Sequence, residues 1–278
     1  AASQAVQHHF AHVVSGLVQN DWLDREVLGV AFDGTGAGTD GTVWGGEFLQ
    51  ATIDGFRRVA HLRPFRIPGG EAAILEPWRL GVSLLVAAGE RTSVDGFARR
   101  WKRSLHAGAV ASLASSSHSV ETTSAGRLFD GVASLILGIA DSGFDGQPAM
   151  LLESAADPSV TTAYELPLDD SVQLDWRPMV RQILRDVREG KSPGVMAAKF
   201  HRGLARGVAS VCHRFDLPVV LTGGVFQNRL LTEWLLEELQ SWHGEVACHS
   251  TIPPNDGGLA AGQLAVALAT LSRQQMES

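Results

Sequence analysis

One pattern near the carboxy terminus constrains the fold of this chain more than any other. Leu217–Leu221 (LPVVL) reads as a strand, followed by Thr222-Gly223-Gly224-Val225-Phe226-Gln227-Asn228 and a helix to about Trp242. The same order recurs at once: Val246–Ser250, then Ile252-Pro253-Pro254-Asn255-Asp256-Gly257-Gly258, then a helix from Leu259 to about Arg273. Strand, glycine turn and helix, used twice, predict α/β architecture with ligands bound at the carboxyl ends of the strands.

The rest of the chain agrees with that architecture. Val27–Phe32 (VLGVAF) predicts a buried strand, and Val43–Ile53 a second one paired with it across a glycine-rich turn. A helix is predicted over residues 6–20, where Val6, Phe10, Val13, Val14 and Leu17 recur at helical spacing. Further helices are predicted over Glu71–Ala88, residues 93–113, Arg127–Ile139, Trp176–Glu189 and Gly194–Phe215. The polar run 115–124 predicts a loop with capping residues at its end. Residues 155–175, rich in Asp, Pro and Thr, read as an interlobe or surface excursion with strand-like pieces such as Thr161–Leu166. The 30 glycines cluster at 34–46, 69–70, 143–146, 223–224 and 257–258, at the ends of apolar segments, where a backbone turns sharply or approaches a ligand.

Composition removes several function classes. With 23 Lys and Arg against 30 Asp and Glu, the net charge of −7 argues against a sequence-independent grip on DNA, which needs clustered cations. Two cysteines, Cys212 and Cys248, exclude a multi-disulfide framework and a four-cysteine zinc site. No run of about 18 apolar residues appears, so no span of the bilayer is expected, and there is no signal peptide. A reduced, cytoplasmic setting is the expectation. The chain has no initiator Met, and candidate chemistry begins within ten residues of its start, which suggests a fragment of something longer.

Five segments carry candidate chemistry. In Gln7-His8-His9-Phe10-Ala11-His12, His8 and His12 are four residues apart on a helix, so their imidazoles leave one face about 6 Å apart, a metal-ligand spacing. An exposed or capping histidine pair is the plainer alternative. Asp33-Gly34-Thr35-Gly36-Ala37-Gly38-Thr39-Asp40-Gly41-Thr42 contains GxGxxG, but a strand follows rather than a helix, and no Walker A lysine is present. It fits a glycine-rich hairpin closing around phosphates, or simply a flexible hairpin; Asp33 is a candidate ligand for a metal such as magnesium. At Gly223-Gly224, glycine at a strand end allows close approach of a nucleotide, the next helix N-terminus favours anions, and Asn228 can reach a ribose or base. Asp256 is either a helix cap or a ligand carboxylate at a strand–helix corner. Asp130, on a strongly apolar helix, is costly unless it faces a ligand or partner, although a carboxylate near a helix start also suits the dipole.

Taken together, QHHFAH, AFDGTGAGTDGTVWGGE, GGEAAILEPWR, GRLFDGVASLILGI, DGQPAMLLE, LTGGVFQN and PPNDGGLAAGQ resemble, in order and spacing, the carboxy-terminal TsaD-like domain of the HypF carbamoyltransferases of NiFe-hydrogenase maturation. The resemblance covers nearly the whole chain. It implies a two-lobed actin/Hsp70/sugar-kinase-like fold with nucleotide in the interlobe cleft. It also implies one domain over 1–278 lacking its first strands, with approximate lobes 1–110 and 111–278. The implied metal set is His8, His12, Asp33 and Asp256, holding one divalent ion, iron or zinc, with magnesium as a further ion. The implied contacts to ATP or carbamoyl-adenylate are Gly34, Thr35, Gly36, Gly38, Thr39, Gly223 and Gly224 on phosphates and Asp130, Gly146, Glu153 and Asn228 on adenosine. Two positions depart from the family's pattern: Ala37 stands where an aromatic is usual, and Gly131 where Ala is usual.

The implied reaction transfers a carbamoyl group from carbamoyl-adenylate to the carboxy-terminal Cys thiolate of HypE. Full-length members also carry acylphosphatase-like, cysteine-rich zinc-binding and YrdC-like regions, none of which appears here. The chain alone is therefore expected to bind nucleotide and metal without completing the cycle from carbamoyl phosphate. Two other classes remain open: a non-catalytic nucleotide-binding scaffold or regulatory module, and a small-molecule O-carbamoyltransferase or sugar kinase.

Overall fold

The computed structural model of the chain describes residues 4–240 and 244–276. The chain opens with helix α1 (His8–Gln19) and enters a meander of strands β1 (Val27–Ala37), β2 (Val43–Thr52), β3 (Gly55–Leu62) and β4 (Phe65–Ile67). Helices α2 (Ala72–Leu75), α3 (Trp78–Ala87), α4 (Val94–Arg100) and α5 (Ser104–Ala114) lead to β5 (Val120–Thr122), α6 (Ala125–Leu137) and α7 (Gln147–Ala155). Then come β6 (Gln173–Leu174), α8 (Arg177–Arg188), α9 (Pro193–Cys212), β7 (Val219–Thr222), α10 (Arg229–Leu239), β8 (Val246–Ala247) and α11 (Leu259–Met276).

The strands form one mixed sheet in the order β4-β5-β2-β1-β7-β8, with β3 on β2 and β6 on β3. At its centre β1 runs antiparallel to β2 and parallel to β7, pairing Leu28–Ala31 with Val219–Thr222. The sheet takes strands from both sides of residue 110.

The alternation of β1 sorts its side chains. Leu28, Val30 and Phe32 enter the larger core with α3, α6, α8 and α9, whereas Val27 and Ala31 face α1. On that second face Phe10, Val13, Val14 and Leu17 of α1 are all 5% exposed or less. Burying each contributes about 1.5–3 kcal/mol, which anchors the helix that carries the histidines. Two glycines permit the close approach: a Cβ at Gly29 would lie 2.2 Å from the Val13 side chain, and one at Gly262 of α11 would lie 1.9 Å from the Ala11 carbonyl oxygen.

Several expectations are corrected. β1 continues five residues past Phe32, through Gly34, Thr35 and Gly36, so the turn is only Gly38–Thr42. The helix expected over Glu71–Ala88 is broken at Glu76-Pro77, where Pro77 cannot continue a hydrogen-bond ladder. The one expected over 93–113 breaks at Trp101–Arg103. There Lys102 adopts φ 57°, and the buried Trp101 indole donates to the Ser134 carbonyl at 3.1 Å.

β3, β4 and α7 have no counterpart in the expectation, and the predicted loop 115–124 contains β5. Thr161–Leu166 is not a strand. It is an irregular segment lying on α9, where Tyr164 N donates to the Lys199 carbonyl and Gly203 leaves room for the crossing chain. The strand at Val246 ends at Ala247, and α10 ends at Leu239; Trp242 lies outside the described residues.

Candidate nucleotide and metal site

Four elements meet at the carboxyl end of β1. Gln7 caps α1 by accepting a hydrogen bond from Phe10 N at 2.8 Å, while its amide donates to the Ala37 carbonyl at 3.0 Å, tying the helix start to β1. His8 and His12, one helical turn apart, then point the same way, with ring centroids 4.9 Å apart. The ladder between β1 and β2 lapses between Phe32 and Gly36, and Asp33 sits in that lapse. Its Oδ1 accepts from Gly224 N at 3.0 Å, and its Oδ2 accepts from His8 Nε2 at 2.9 Å. Asp256 begins the 3-10 turn before α11 and brings Oδ1 to 3.4 Å from both imidazole Nε2 atoms.

One ligand atom from each of His8, His12, Asp33 and Asp256 lies within 4.8 Å of the other three. His12 is fully buried, and neither ring nitrogen makes a hydrogen bond of acceptable angle, although Nε2 is 3.2 Å from Asp33 Oδ2. A buried imidazole without a partner is costly unless a cation completes it. Two nitrogens and two carboxylate oxygens fit one divalent transition metal with open positions. The local charges agree. Burial works to raise the Asp33 carboxyl, but the imidazoles of His12 and His8 outweigh it and hold the carboxyl well below the usual carboxylate range. The hydrogen bond to Asp33 raises His8 against the effect of burial. His9 stands outside the cluster; burial, then the neighbouring His8, lowers it to about 3.

A cavity of about 430 Å³ starts beside Asp33 and runs between α6, α7 and the turn after β7. Of the residues expected to contact nucleotide, Gly34, Asp130, Gly146, Glu153, Gly224 and Asn228 line it. Thr35, Gly36, Gly38, Thr39 and Gly223 are not among its lining residues. Gly36 packs against the His8 and His9 rings, and a Cβ there would lie 2.6 Å from His8. Gly38 packs against Trp44 in a turn braced by Asp40, which accepts from Thr42 N, Trp44 Nε1 and Arg58. Ala37, in place of an aromatic, remains paired with Val43. Gly223, at φ 96°, lets the chain pass Phe32, whose carbonyl oxygen a Cβ would meet at 2.2 Å.

The α10 N-terminus departs from expectation. Asn228 Oδ1 accepts from Leu231 N at 2.8 Å, and Glu153 Oε1 accepts from Leu230 N at 3.1 Å, so two side chains already occupy the donors expected to favour an anion. Behind Asn228, buried His201 donates from Nδ1 to the Ala197 carbonyl, so its Nε2 accepts from the Asn228 amide at 3.0 Å.

Asp130 is 1% exposed, and neither of its oxygens makes a hydrogen bond. Burial raises its carboxyl to about 7, against the pull of Arg127, whose Nε lies 3.1 Å away. Arg127 was missed by sequence reasoning. It lines the cavity, is 2% exposed, and pairs through Nη2 with Asp145, another lining residue. Its signal was legible in outline, as an arginine three residues before an aspartate on an apolar helix.

Comparisons with known proteins place the chain among relatives. The sequence model described as "Carbamoyltransferase, Kae1-like Domain, second subdomain" matches residues 29–263. The carbamoyltransferase HypF of Synechocystis sp. is 35% identical over 280 residues, covering 93% of this chain and 36% of that protein. HypF of Rhodobacter capsulatus is 38% identical over 277 residues, covering 96% of this chain and 36% of its own length. The chain therefore spans little more than a third of these relatives. A crystal structure of full-length HypF in the phosphate- and nucleotide-bound form superposes with TM-score 0.85 at 34% identity, over 94% of this chain and 42% of that one. The likeness bears out the α/β, actin/Hsp70/sugar-kinase-like class.

Proposed function

This chain belongs to the HypF carbamoyltransferases, in their Kae1-like domain, and on that premise we propose that it transfers a carbamoyl group from carbamoyl-adenylate to the carboxy-terminal Cys thiolate of HypE. The product would lead towards the cyanide ligands of NiFe-hydrogenase. The observation that carries the reading is the meeting of His8, His12, Asp33 and Asp256 at one end of a 430 Å³ cavity lined by Asp130, Gly146 and Asn228.

In this reading the four side chains hold one divalent ion, iron or zinc, with magnesium as a further ion on the nucleotide. Once bound, the ion would supply Lewis acidity beside the phosphate. Asp130, ion-paired with Arg127 but making no hydrogen bond, accepts from a ribose hydroxyl. The backbone at Gly34 and Gly224 approaches the phosphate, because neither carries a Cβ to obstruct it. The hairpin from Thr35 through Gly36, Gly38 and Thr39 shapes the phosphate end, and Gly223 sets the path of the turn.

Carbamoyl-adenylate is a mixed anhydride prone to hydrolysis, so enclosure between α6 and α7 protects it. The acceptor thiolate attacks the carbamoyl carbon. The C–S bond forms, the bond to the phosphate oxygen breaks, and AMP leaves with the electron pair. The adenylate would come from the YrdC-like region of full-length members, which also carry acylphosphatase-like and zinc-binding regions.

The test supplies the chain with carbamoyl-adenylate and a HypE carboxy-terminal peptide. Expected is AMP release matched by one carbamoyl group on the terminal Cys, read by mass spectrometry. Transfer to a sugar hydroxyl instead, or hydrolysis alone, would refute the reading.

A further inference from the structure

We propose that Arg127 is a catalytic residue of the transfer: its Nη1 donates to the phosphoryl group of carbamoyl-adenylate and holds the charge that gathers there as AMP leaves. The inference rests on the cavity being the adenylate site, as proposed above.

Arg127 stands where a cation is expensive. Residues 125–136 of α6 are all buried, and Arg127 itself is 2% exposed. A guanidinium in such a place costs stability unless both its charge and its N–H bonds are met. The charge is met: Asp130 lies 3.1 Å from Nε, and Asp145 pairs with Nη2. The N–H bonds are not. A guanidinium has five donors in a rigid fork, yet neither Nε nor Nη1 makes a hydrogen bond. Arg127 lines the cavity, so an acceptor for Nη1 can come from a ligand.

The start of α6 fixes where that donor lies. Ser124 Oγ accepts from Arg127 N at 3.0 Å and donates to the Gly34 carbonyl, which ties the first turn of the helix to β1. Gly126 crosses β1 so closely that a Cβ on it would lie 2.9 Å from Gly34 Cα, and a Cβ on Gly34 would meet Arg127 Nη2 at 3.8 Å. The guanidinium therefore stands over Gly34, where the backbone leaves room for phosphate, and beside Asp130, which faces the ribose. A group between those two contacts is within reach of the phosphoryl oxygens, which join the ribose through its 5′ oxygen. Arg127 is also the one cationic side chain among the described lining residues.

The charge change in the reaction gives this donor its leverage. In the mixed anhydride the phosphoryl group carries one negative charge. The acceptor thiolate attacks the carbamoyl carbon and the C–S bond forms. The C–O bond to the phosphate breaks with its electron pair on oxygen, and AMP leaves with two negative charges. A charge-assisted hydrogen bond from Nη1 strengthens as that second charge develops, so it lowers the barrier rather than only tightening binding. Asp130 and Asp145 hold the guanidinium in place, and no proton moves to or from it.

Titration calorimetry of adenosine and AMP, in chelator so that no ion carries the phosphate, compares the parent with Arg127→Gln and Arg127→Lys. The parent should bind AMP at least about tenfold tighter than adenosine, as a hydrogen bond to a charged group provides. Arg127→Gln should erase that preference and leave adenosine affinity nearly unchanged. Arg127→Lys keeps a charge beside Asp130 and Asp145, which guards the fold, but lacks the fork; it should retain only part of the preference. With carbamoyl-adenylate and the acceptor peptide, Arg127→Lys should lower kcat by about 100-fold with little change in KM. Equal affinity of the parent for AMP and adenosine, or variants that weaken both ligands by the same factor, would overturn the inference and leave the nucleotide site standing. Failure of the parent to bind either ligand would overturn the nucleotide reading and this inference with it.

Discussion

The cluster of two imidazoles and two carboxylates makes a quantitative prediction about cation-linked stability. His12 is fully buried, so in His12→Ala no other side chain or readily admitted water replaces its Nε2 beside Asp33 and Asp256. Loss of one of four ligands should weaken a divalent ion by at least about a hundredfold, since changes one shell further out already cost about 10- to 100-fold. At a free ion concentration about 100 times Kd, binding to the folded state alone adds about 2.7 kcal/mol, or a rise in Tm of about 5–8 °C for a chain of this size. The same ion concentration is then only about equal to the Kd of His12→Ala, and the gain falls to about 0.4 kcal/mol, about 1 °C.

The assay is thermal unfolding by calorimetry, with zinc, ferrous iron or cobalt added to protein stripped with chelator. His9→Ala serves as the control: His9 is equally buried and adjacent on α1 but outside the cluster. It should lower Tm yet keep the ion-induced rise. A wild-type Tm indifferent to all three ions, or a rise that survives in His12→Ala and vanishes in His9→Ala, would refute the assignment.

Three further outcomes are expected. Gly262→Ala should destabilise the fold by about 1–3 kcal/mol in chemical denaturation, because the new methyl meets the Ala11 carbonyl and forces α11 off α1; an unchanged midpoint would contradict that packing. Burial, with the Ala197 carbonyl opposing it, lowers His201 to about 4, below its unfolded value near 6.5. Its stabilisation is thus complete above about pH 6.5 and lost as pH falls through 4, and His201→Gln should flatten that decline in nucleotide-free protein. Asp130 behaves oppositely: raised to about 7 by burial, it favours the fold below about pH 3.8 and loses that contribution as pH rises through 7. Asp130→Asn should therefore gain stability relative to the parent on going from pH 5 to pH 8, and a parallel pair of stability curves would contradict the assignment.

Legibility in the sequence followed the range of the interactions. The β1–β2 pair was legible because a continuous apolar run and a glycine turn are local, and α9 because its apolar face repeats over 20 residues. The break at Trp101–Arg103 was not, since apolar spacing continues across it and only the docking of Trp101 against Ser134 ends the helix. His8 and His12 were legible as a pair from helical spacing. That Glu153 and Asn228 spend their oxygens on the start of α10 was hidden, because Leu230 N lies 77 residues from Glu153. Gly38 and Gly223 read as phosphate contacts, yet each makes room for a neighbouring chain atom, Trp44 and the Phe32 carbonyl respectively.

By itself the order of residues determined the α/β class, the helical face shared by His8 and His12, and the glycine corners after β1 and β7. These depend on backbone periodicity and on missing Cβ atoms, which are properties of each residue and its near neighbours. Only the tertiary structure decided that Asp33 and Asp256, 223 positions apart in the chain, converge on those two histidines. It also decided that Arg127 faces the cavity between Asp130 and Asp145. Both depend on how α1 and α11 pack on one face of the sheet and α6 on the other, and that packing sums many buried contacts no local pattern encodes.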